Sequence, residues 1–215
     1  MSNKVEYFDS NIGVPIKNPP LYKTYLSRLL LPLLALISRE KAVKLGLVPL
    51  DDERVIQALN YAKGRALDIG CGANHFIKSY GNGTGVDVYP WKGVDVVVKD
   101  TASLPFENDE FDTVSFIACL NHIPNRIEVL EEADRVLAKN GRIIVTMIPP
   151  KWGKFIHWIR FRNDPDHQDR DIDHDHELLG MDPAQVKEML KNTGYSNVTR
   201  KRFVFGINSI YVAKK

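Results

Sequence analysis

Between Arg65 and Cys71 an apolar run ends in two glycines one residue apart, and no other stretch restricts the fold as much. Leu67-Asp68-Ile69 reads as a buried strand. Gly70-Cys71-Gly72 reads as a tight loop, because glycine accepts positive φ and lets another group approach the main chain. Short apolar strands then recur. They are expected at Arg65–Cys71, Thr84–Val88, Val94–Lys99, Phe111–Ala118 and Arg142–Ile148, with helices or loops between them. Ile127–Leu137 is the clearest helix, entered after Pro124 and closed by Asn140-Gly141. Strands alternating with helices imply a parallel sheet covered on both faces. Asp182-Pro183 reads as an N-cap followed by proline at the first helical position, opening a helix that ends at Gly194. Asn197–Val204 and Asn208–Ala213 then form a hairpin around Gly206, which adds one antiparallel strand.

The bulk properties set limits on function. A length of 215 residues suits one α/β domain with some decoration, and a hydrophobic fraction of 44% supplies one sizeable core. The 29 basic and 27 acidic side chains nearly balance, which argues against a dedicated nucleic-acid binder. Cys71 and Cys119 lie far apart and outside any paired ligand motif, so neither a disulfide framework nor a metal site is expected, and a reducing, cytoplasmic setting fits. The longest apolar run, Leu29 to Ile37, has nine residues and contains Pro32. That is short of the roughly 20 residues needed to span a bilayer, and it begins too late to serve as a secretory signal.

Residues 1–20 are expected to be irregular, with Gly13, Pro15, Pro19 and Pro20 among them. From Leu21 the pattern is helical, with Tyr22, Tyr25, Leu26, Leu29, Leu30 and Leu33 at three- and four-residue spacing and a kink expected at Pro32. This 21–37 segment has two readings. It is a lid over the functional site, or it lies on a membrane surface, since Arg28, Arg39, Lys41 and Lys44 flank its apolar face. The lid is the preferred reading. A second helix is expected from Asp51 to Ala62, its acidic start matched to the positive helix end.

Three strand tips carry groups suited to one ligand. Asp68 precedes the glycine loop, and Gly85-Val86-Asp87 ends the next strand with an acid 19 residues later. A carboxylate there can accept both hydroxyls of a ribose. Asp100-Thr101 ends the third strand, where an acceptor can reach an adenine amino group. Either aspartate alone reads equally as a solvated loop residue.

Taken in order, Leu67-Asp68-Ile69-Gly70-Cys71-Gly72, Gly85-Val86-Asp87, Leu104-Pro105-Phe106, Phe111-Asp112-Thr113-Val114, Asn121-His122-Ile123-Pro124, Glu132-Ala133-Asp134-Arg135-Val136-Leu137 and Asn140-Gly141-Arg142 make a set. The set resembles the class I S-adenosylmethionine-dependent methyltransferases, in particular the type 11 small-molecule group. The resemblance covers roughly residues 64–150. It implies a Rossmann-like, seven-stranded, mostly parallel sheet with helices on both faces, and S-adenosyl-L-methionine as cofactor. It further implies that Asp68 organises the loop and contacts the methionine amino group, and that Gly70, Cys71 and Gly72 offer backbone to the methionine and ribose. By the same resemblance Asp87 holds the ribose, Val88 flanks the adenine, Asp100 and Thr101 address its edge, and Ala118 and Cys119 lie near the methionine. There are two departures. Asn74 stands where the family often has a third glycine, and only Val88 to Val94 separate Asp87 from Asp95, too few residues for the usual helix. A loop is expected there, with Tyr89 or Trp91 over the adenine or packed on the sheet edge.

The expected organisation is a helical cap (1–62), a cofactor-binding core (63–150), a lid insertion (151–180) and a closing helix and hairpin (181–215). A sulfonium cofactor carries its own activated methyl group, so the protein must chiefly align an acceptor and exclude water. A base is needed only where the acceptor loses a proton. His122 is the candidate base, or else it caps the next helix. Trp152, His157, Trp158, Asp166 and His167 are candidates for contact with a small-molecule or lipid-like acceptor, and the Asp/His run around the last two reads otherwise as a solvated loop. Two other functions remain open. One is a nucleotide-dependent oxidoreductase, whose fingerprint would need glycine in place of His75. The other is a cofactor-binding module without catalysis.

Overall fold

The computed structural model describes residues 20–30, 34, 39–154 and 178–215. The helices are α1 (Leu21–Leu29), α2 (Arg39–Lys44), α3 (Leu50–Leu59), α4 (His75–Tyr80), α5 (Arg126–Val136) and α6 (Pro183–Asn192), and residues 150–154 are helical as well. The strands are β1 (Ala66–Ile69), β2 (Gly83–Asp87), β3 (Val96–Val97), β4 (Phe111–Ile117), β5 (Leu137–Met147), β6 (Ser196–Phe203) and β7 (Asn208–Lys214).

One seven-stranded sheet runs in the order β3-β2-β1-β4-β5-β7-β6. The pairs β1/β2, β2/β3, β1/β4 and β4/β5 are parallel. β7 is antiparallel to both β5 and β6. The chain winds outward from β1 to β3 and then returns to place β4 on the other side of β1. The direction of winding therefore reverses between β1 and β4, and in such sheets a crevice opens there, at the carboxyl ends of the strands.

Burial follows the alternation of side chains along each strand. Leu67, Ile69, Ile143 and Val145 face a core layer closed by Val129, Leu130 and Ala133 of α5 and by Val186 and Leu190 of α6. Ala66 and Ile144 face the opposite layer, closed by Leu50, Val55 and Ala58 of α3 and Phe76 and Ile77 of α4. Central strands buried on both faces explain why β1 reads as a continuous apolar run interrupted only by Asp68.

Several expected elements meet the structure closely. Asp182 accepts the Ala184 N–H at 3.2 Å while Gln185 accepts the Asp182 N–H at 3.0 Å, a capping box with Pro183 at the helix start. No helix intervenes between β2 and β3, as the short spacing requires. Others shift. β3 has two residues rather than six, because only Val96 and Val97 pair with β2. β5 begins earlier than expected, since Leu137 pairs with Phe111 straight after α5 and a register shift absorbs the turn at Asn140. α1 ends at Leu29, before Pro32, which lies outside the described residues, as does most of the expected lid insertion. Among the described residues no helix is long and apolar enough to cross a membrane.

Candidate functional site

The glycine loop leaves β1 in a conformation that its neighbours enforce. Gly70 has φ +69°, and a Cβ there would sit 2.9 Å from the Cys119 sulfur. Both the torsion and the space therefore call for glycine. The Cys119 thiol donates to the Ile69 carbonyl at 2.9 Å, pinning the end of β4 to the end of β1. The Cys119 side chain thus lies against Gly70. Ala118, with φ +57°, donates its N–H to Thr146 Oγ1 at 3.0 Å. The backbone at the tip of β4 is thus fixed from both sides.

Asp87 joins β2 to the loop. Its Oδ2 accepts the Gly72 N–H at 2.8 Å and its Oδ1 accepts the Tyr89 N–H at 2.9 Å. Val88, next along, is 42% exposed, a bare apolar side chain beside that carboxylate. Above Gly72 there is room, since a Cβ at that position would meet nothing within 4 Å. Tyr89 and Trp91 pack edge to face with ring centroids 6.3 Å apart.

Asp68 is 2% exposed and accepts the Ser115 hydroxyl at 2.6 Å. Burial pushes its carboxyl up to about 7, with the nearby Asp87 charge adding to the rise and the Ser115 hydrogen bond opposing it. The Cys71 thiol is likewise held up, first by burial and then by the charges of Asp68, Asp87 and Asp95. The loop therefore sits in a negative field. That field favours a cationic group and disfavours a pyrophosphate.

Asp100, just past β3, is exposed. Its Oδ1 accepts the Ala102 N–H at 2.8 Å and the Asn125 side-chain amide at 3.2 Å. Thr101 is buried. Val98 donates its N–H to the Asp87 carbonyl at 3.0 Å, which keeps Asp100 on the same edge of the sheet as Asp87. His122 closes a single helical turn (Leu120–His122) after β4 and is half-buried. Trp152 is half-buried. His157, Trp158, Asp166 and His167 lie outside the described residues. Among the described residues no group of three or more His, Cys, Asp or Glu side chains is placed to hold a metal.

Two residues, noted in the sequence without an assigned role, organise the site. Asn74 takes φ +62° in the place of the missing glycine. Its side-chain amide donates to the Gly93 carbonyl at 3.0 Å and to Asp95 Oδ2 at 2.7 Å, and the same oxygen accepts the Gly85 N–H at 2.7 Å. The departure from glycine is therefore a clamp that holds the β2–β3 loop against the glycine loop. The signal was present, because asparagine is the residue that best tolerates the left-handed region after glycine. Asn121 is the second. Its amide donates to the Leu178 carbonyl at 2.8 Å and its own carbonyl accepts the Leu178 N–H at 3.1 Å. Arg126 reinforces the turn through the Leu120 and Asn121 carbonyls at 3.0 and 2.8 Å. The segment leading to α6 is thus tied to the tip of β4.

Parallel strands on one side, an antiparallel β7 slotted between β5 and β6 on the other, and an acid-lined glycine loop at the reversal point narrow the class. It is that of the Rossmann-like, S-adenosylmethionine-dependent methyltransferases, enzymes with S-adenosyl-L-methionine as cofactor. A family model described as a methyltransferase domain matches residues 23–200, and the chain belongs to that family. Over 152 residues it is 29% identical to the uncharacterized protein MJ1123 of Methanocaldococcus jannaschii, covering 66% of this chain and 70% of that one. It is 25% identical to a demethylmenaquinone methyltransferase of Staphylococcus saprophyticus, over 76% of this chain and 84% of that one. A probable tRNA methyltransferase 9B of Mus musculus is 31% identical, over 43% of this chain and 24% of that protein. With that relative, near-neutral charge no longer supports excluding nucleic acid. In fold, the chain superposes on a SAM-dependent methyltransferase of Archaeoglobus fulgidus with a TM-score of 0.59 at 18% identity, covering 76% of this chain and 92% of that one.

Proposed function

We propose that this methyltransferase acts on a small, lipid-like acceptor and that Asp68, the Gly70–Gly72 loop, Asp87 and Val88 hold the cofactor. The observation that carries the cofactor reading is the Asp87 carboxylate. It is bonded to the loop through Gly72 at 2.8 Å and stands at the tip of β2, beside an exposed valine and the open space at Gly72. A ribose diol on Asp87 and an adenine face on Val88 satisfy both groups. The negative field around Asp68 and Cys71 suits the ammonium and sulfonium charges of the cofactor. It opposes the pyrophosphate of a dinucleotide, which weighs against the oxidoreductase reading. Asp100 and Thr101 complete the adenine side.

When bound, the cofactor supplies an activated methyl group. The chain's own part is to orient and to exclude water. Alignment of two held reactants is worth up to about 7–11 kcal/mol of barrier. Asn121 and Arg126 fix the turn carrying His122, so that imidazole is positioned at the mouth, where it can take a proton from an acceptor that must lose one. The acceptor class is supported by the match to a quinone methyltransferase, which extends along most of both chains. The tRNA methyltransferase match takes in only 43% of this chain and 24% of that protein.

The test is to incubate the protein with methyl-labelled cofactor and, separately, a lipid extract and a total RNA extract, and to identify labelled products by mass. Label in an organic-soluble small molecule supports the proposal. Label confined to RNA overturns the acceptor class. No label in either extract, together with a blocked path to the methyl carbon, favours a binding module without catalysis.

A further inference from the structure

A surface helix ordinarily turns its apolar stripe to the core and its polar face to water. α1 does the reverse. Its one buried residue is Ser27, whose hydroxyl accepts the Val48 N–H at 2.8 Å and donates to the Lys23 carbonyl at 2.6 Å. Arg28 makes a forked ion pair with the buried Glu53, both contacts at 3.2 Å. Arg39, at the start of α2, binds Asp52 at 2.6 Å. The helix is thus fastened to the body of the protein through polar groups. Its apolar side chains point away, with Leu21, Tyr22, Tyr25, Leu26 and Leu29 between 47% and 78% exposed. At 100° per residue these five fall within an arc of roughly 140°, opposite Ser27. Lys23 packs against Gly46, just beyond α2, and the neighbouring Leu45 is 70% exposed.

We infer that this outward apolar face of α1 docks on the headgroup region of an anionic lipid membrane. Charge decides between a membrane and a second copy of the chain. Five basic residues and one acidic residue lie between positions 20 and 48; Arg28 and Arg39 are paired with Glu53 and Asp52, so the basic excess rests on Lys23, Lys41 and Lys44. Two copies packed face to face would bring these basic flanks together, whereas anionic headgroups neutralise them. Lys41 and Lys44, both exposed, carry that charge next to Leu45. Tyr22 and Tyr25 suit the boundary, where a ring is buried while its hydroxyl stays wet. With nine residues, α1 lies in the interface plane rather than crossing it. The docking requires no particular acceptor. It brings the site to the surface where the lipid-like acceptor proposed above resides, and only that last step rests on the proposed function.

The test is sedimentation of the full chain with vesicles of phosphatidylglycerol and phosphatidylcholine, and with phosphatidylcholine alone. Retention is expected on the anionic vesicles, and at least tenfold less on the zwitterionic ones or at high salt. The double substitution Leu26→Gln/Leu29→Gln is expected to lower retention at least tenfold. Lys41→Gln/Lys44→Gln is expected to do the same on anionic vesicles alone, each lysine near such a surface being worth about fivefold. Both variants should keep the parent's affinity for S-adenosylhomocysteine and its melting temperature, which separates docking from folding and from the cofactor reading. Absence of retention on anionic vesicles, or equal retention of the leucine variant, overturns the inference. So does a dimer in sedimentation velocity that the leucine variant abolishes, because the face then belongs to a second copy.

Discussion

Two aspartates that look alike in the sequence divide the work at the site. Asp87 is bonded to two backbone N–H groups at the edge of the glycine loop, and with the proposed ribose contact Asp87→Ala is expected to weaken S-adenosylhomocysteine binding at least tenfold by calorimetry. Unchanged affinity removes it from the ribose. Asp68 is different, because burial leaves it half-protonated near pH 7. Only its ionised form can pair with the ligand's ammonium group. Affinity should therefore fall as pH drops below about 7, by up to about tenfold per unit, and Asp68→Asn should flatten that slope. The stability of the free protein runs the other way. The folded carboxyl has a higher pKa than the unfolded one, so the folded state holds more protons between about 4 and 7, and the contribution of Asp68 is lost as pH rises through that window. Thermal melts of the free protein and of Asp68→Asn between pH 5 and 8 check the sign. Asn74 and Gly85 form a third pair. A side chain at position 85 would overlap the Asn74 carboxamide, so Gly85→Ala should cost about 1–3 kcal/mol. Asn74→Gly keeps the left-handed backbone but loses both side-chain donors, for about 1–3 kcal/mol by denaturant melts. The double variant should cost less than the sum, because the overlap disappears with the carboxamide.

At the level of elements, α3 packs on the sheet through Leu50, Val55 and Ala58, and ion pairs tie α1 and α2 to α3. α3 begins with Asp51, Asp52 and Glu53, which face Arg54, Arg39 and Arg28 in turn. Asp52 shows the limit of this device. Despite the short contact to Arg39, burial outweighs the pairing and raises its carboxyl above the usual range, and its second oxygen is buried without a hydrogen-bond partner. His75, the first residue of α4, is half-buried with both ring nitrogens enclosed and without a hydrogen-bond partner, and desolvation together with the Arg39 charge pulls it down to about 4. It is therefore neutral at pH 7, and its penalty appears only as pH falls from about 6.5 through 4. Because Arg39 acts on His75 directly, the cap and the helix following the glycine loop are electrostatically linked. Glu53→Gln removes the charge from the forked pair with Arg28. It is expected to raise amide exchange in residues 21–29 while leaving that of β1 and β4 unchanged, since those strands are fixed by their own ladder. The apolar residues of α1 face outward from this polar contact.

For the molecule as a whole, a ligand that binds only the folded chain raises its stability by mass action, about 2.7 kcal/mol at a hundredfold excess over the dissociation constant. For a chain of this size that is a rise of about 5–10 °C in melting temperature. S-adenosylhomocysteine is expected to produce it and NAD is not. Much of this architecture was legible in advance for a simple reason: patterns of apolar spacing and turn residues act locally. The strand alternation, the capped helix at Asp182-Pro183 and the closing hairpin depend on backbone propensity and side-chain period, and they lie where the sequence places them. The glycine loop and the acids at positions 68, 87 and 100 were legible because a chemical type sits at a strand end. Other features depend on groups distant in sequence. Cys119 lies under Gly70, Asn74 reaches Gly93 and Asp95, and Asn121 holds Leu178, each through a bond between side chain and backbone or a close contact. Which face of α1 meets the protein is a case of the same kind. Its apolar stripe could be read from the spacing, but its outward direction follows from where Glu53 and the Val48 amide stand in space. Sequence alone therefore determined the strands, the loop and the types of group along the sheet edge, since these follow from torsion and period. Only the tertiary structure decided which groups meet, because burial, the local field and the partners of a polar atom are properties of the assembled chain.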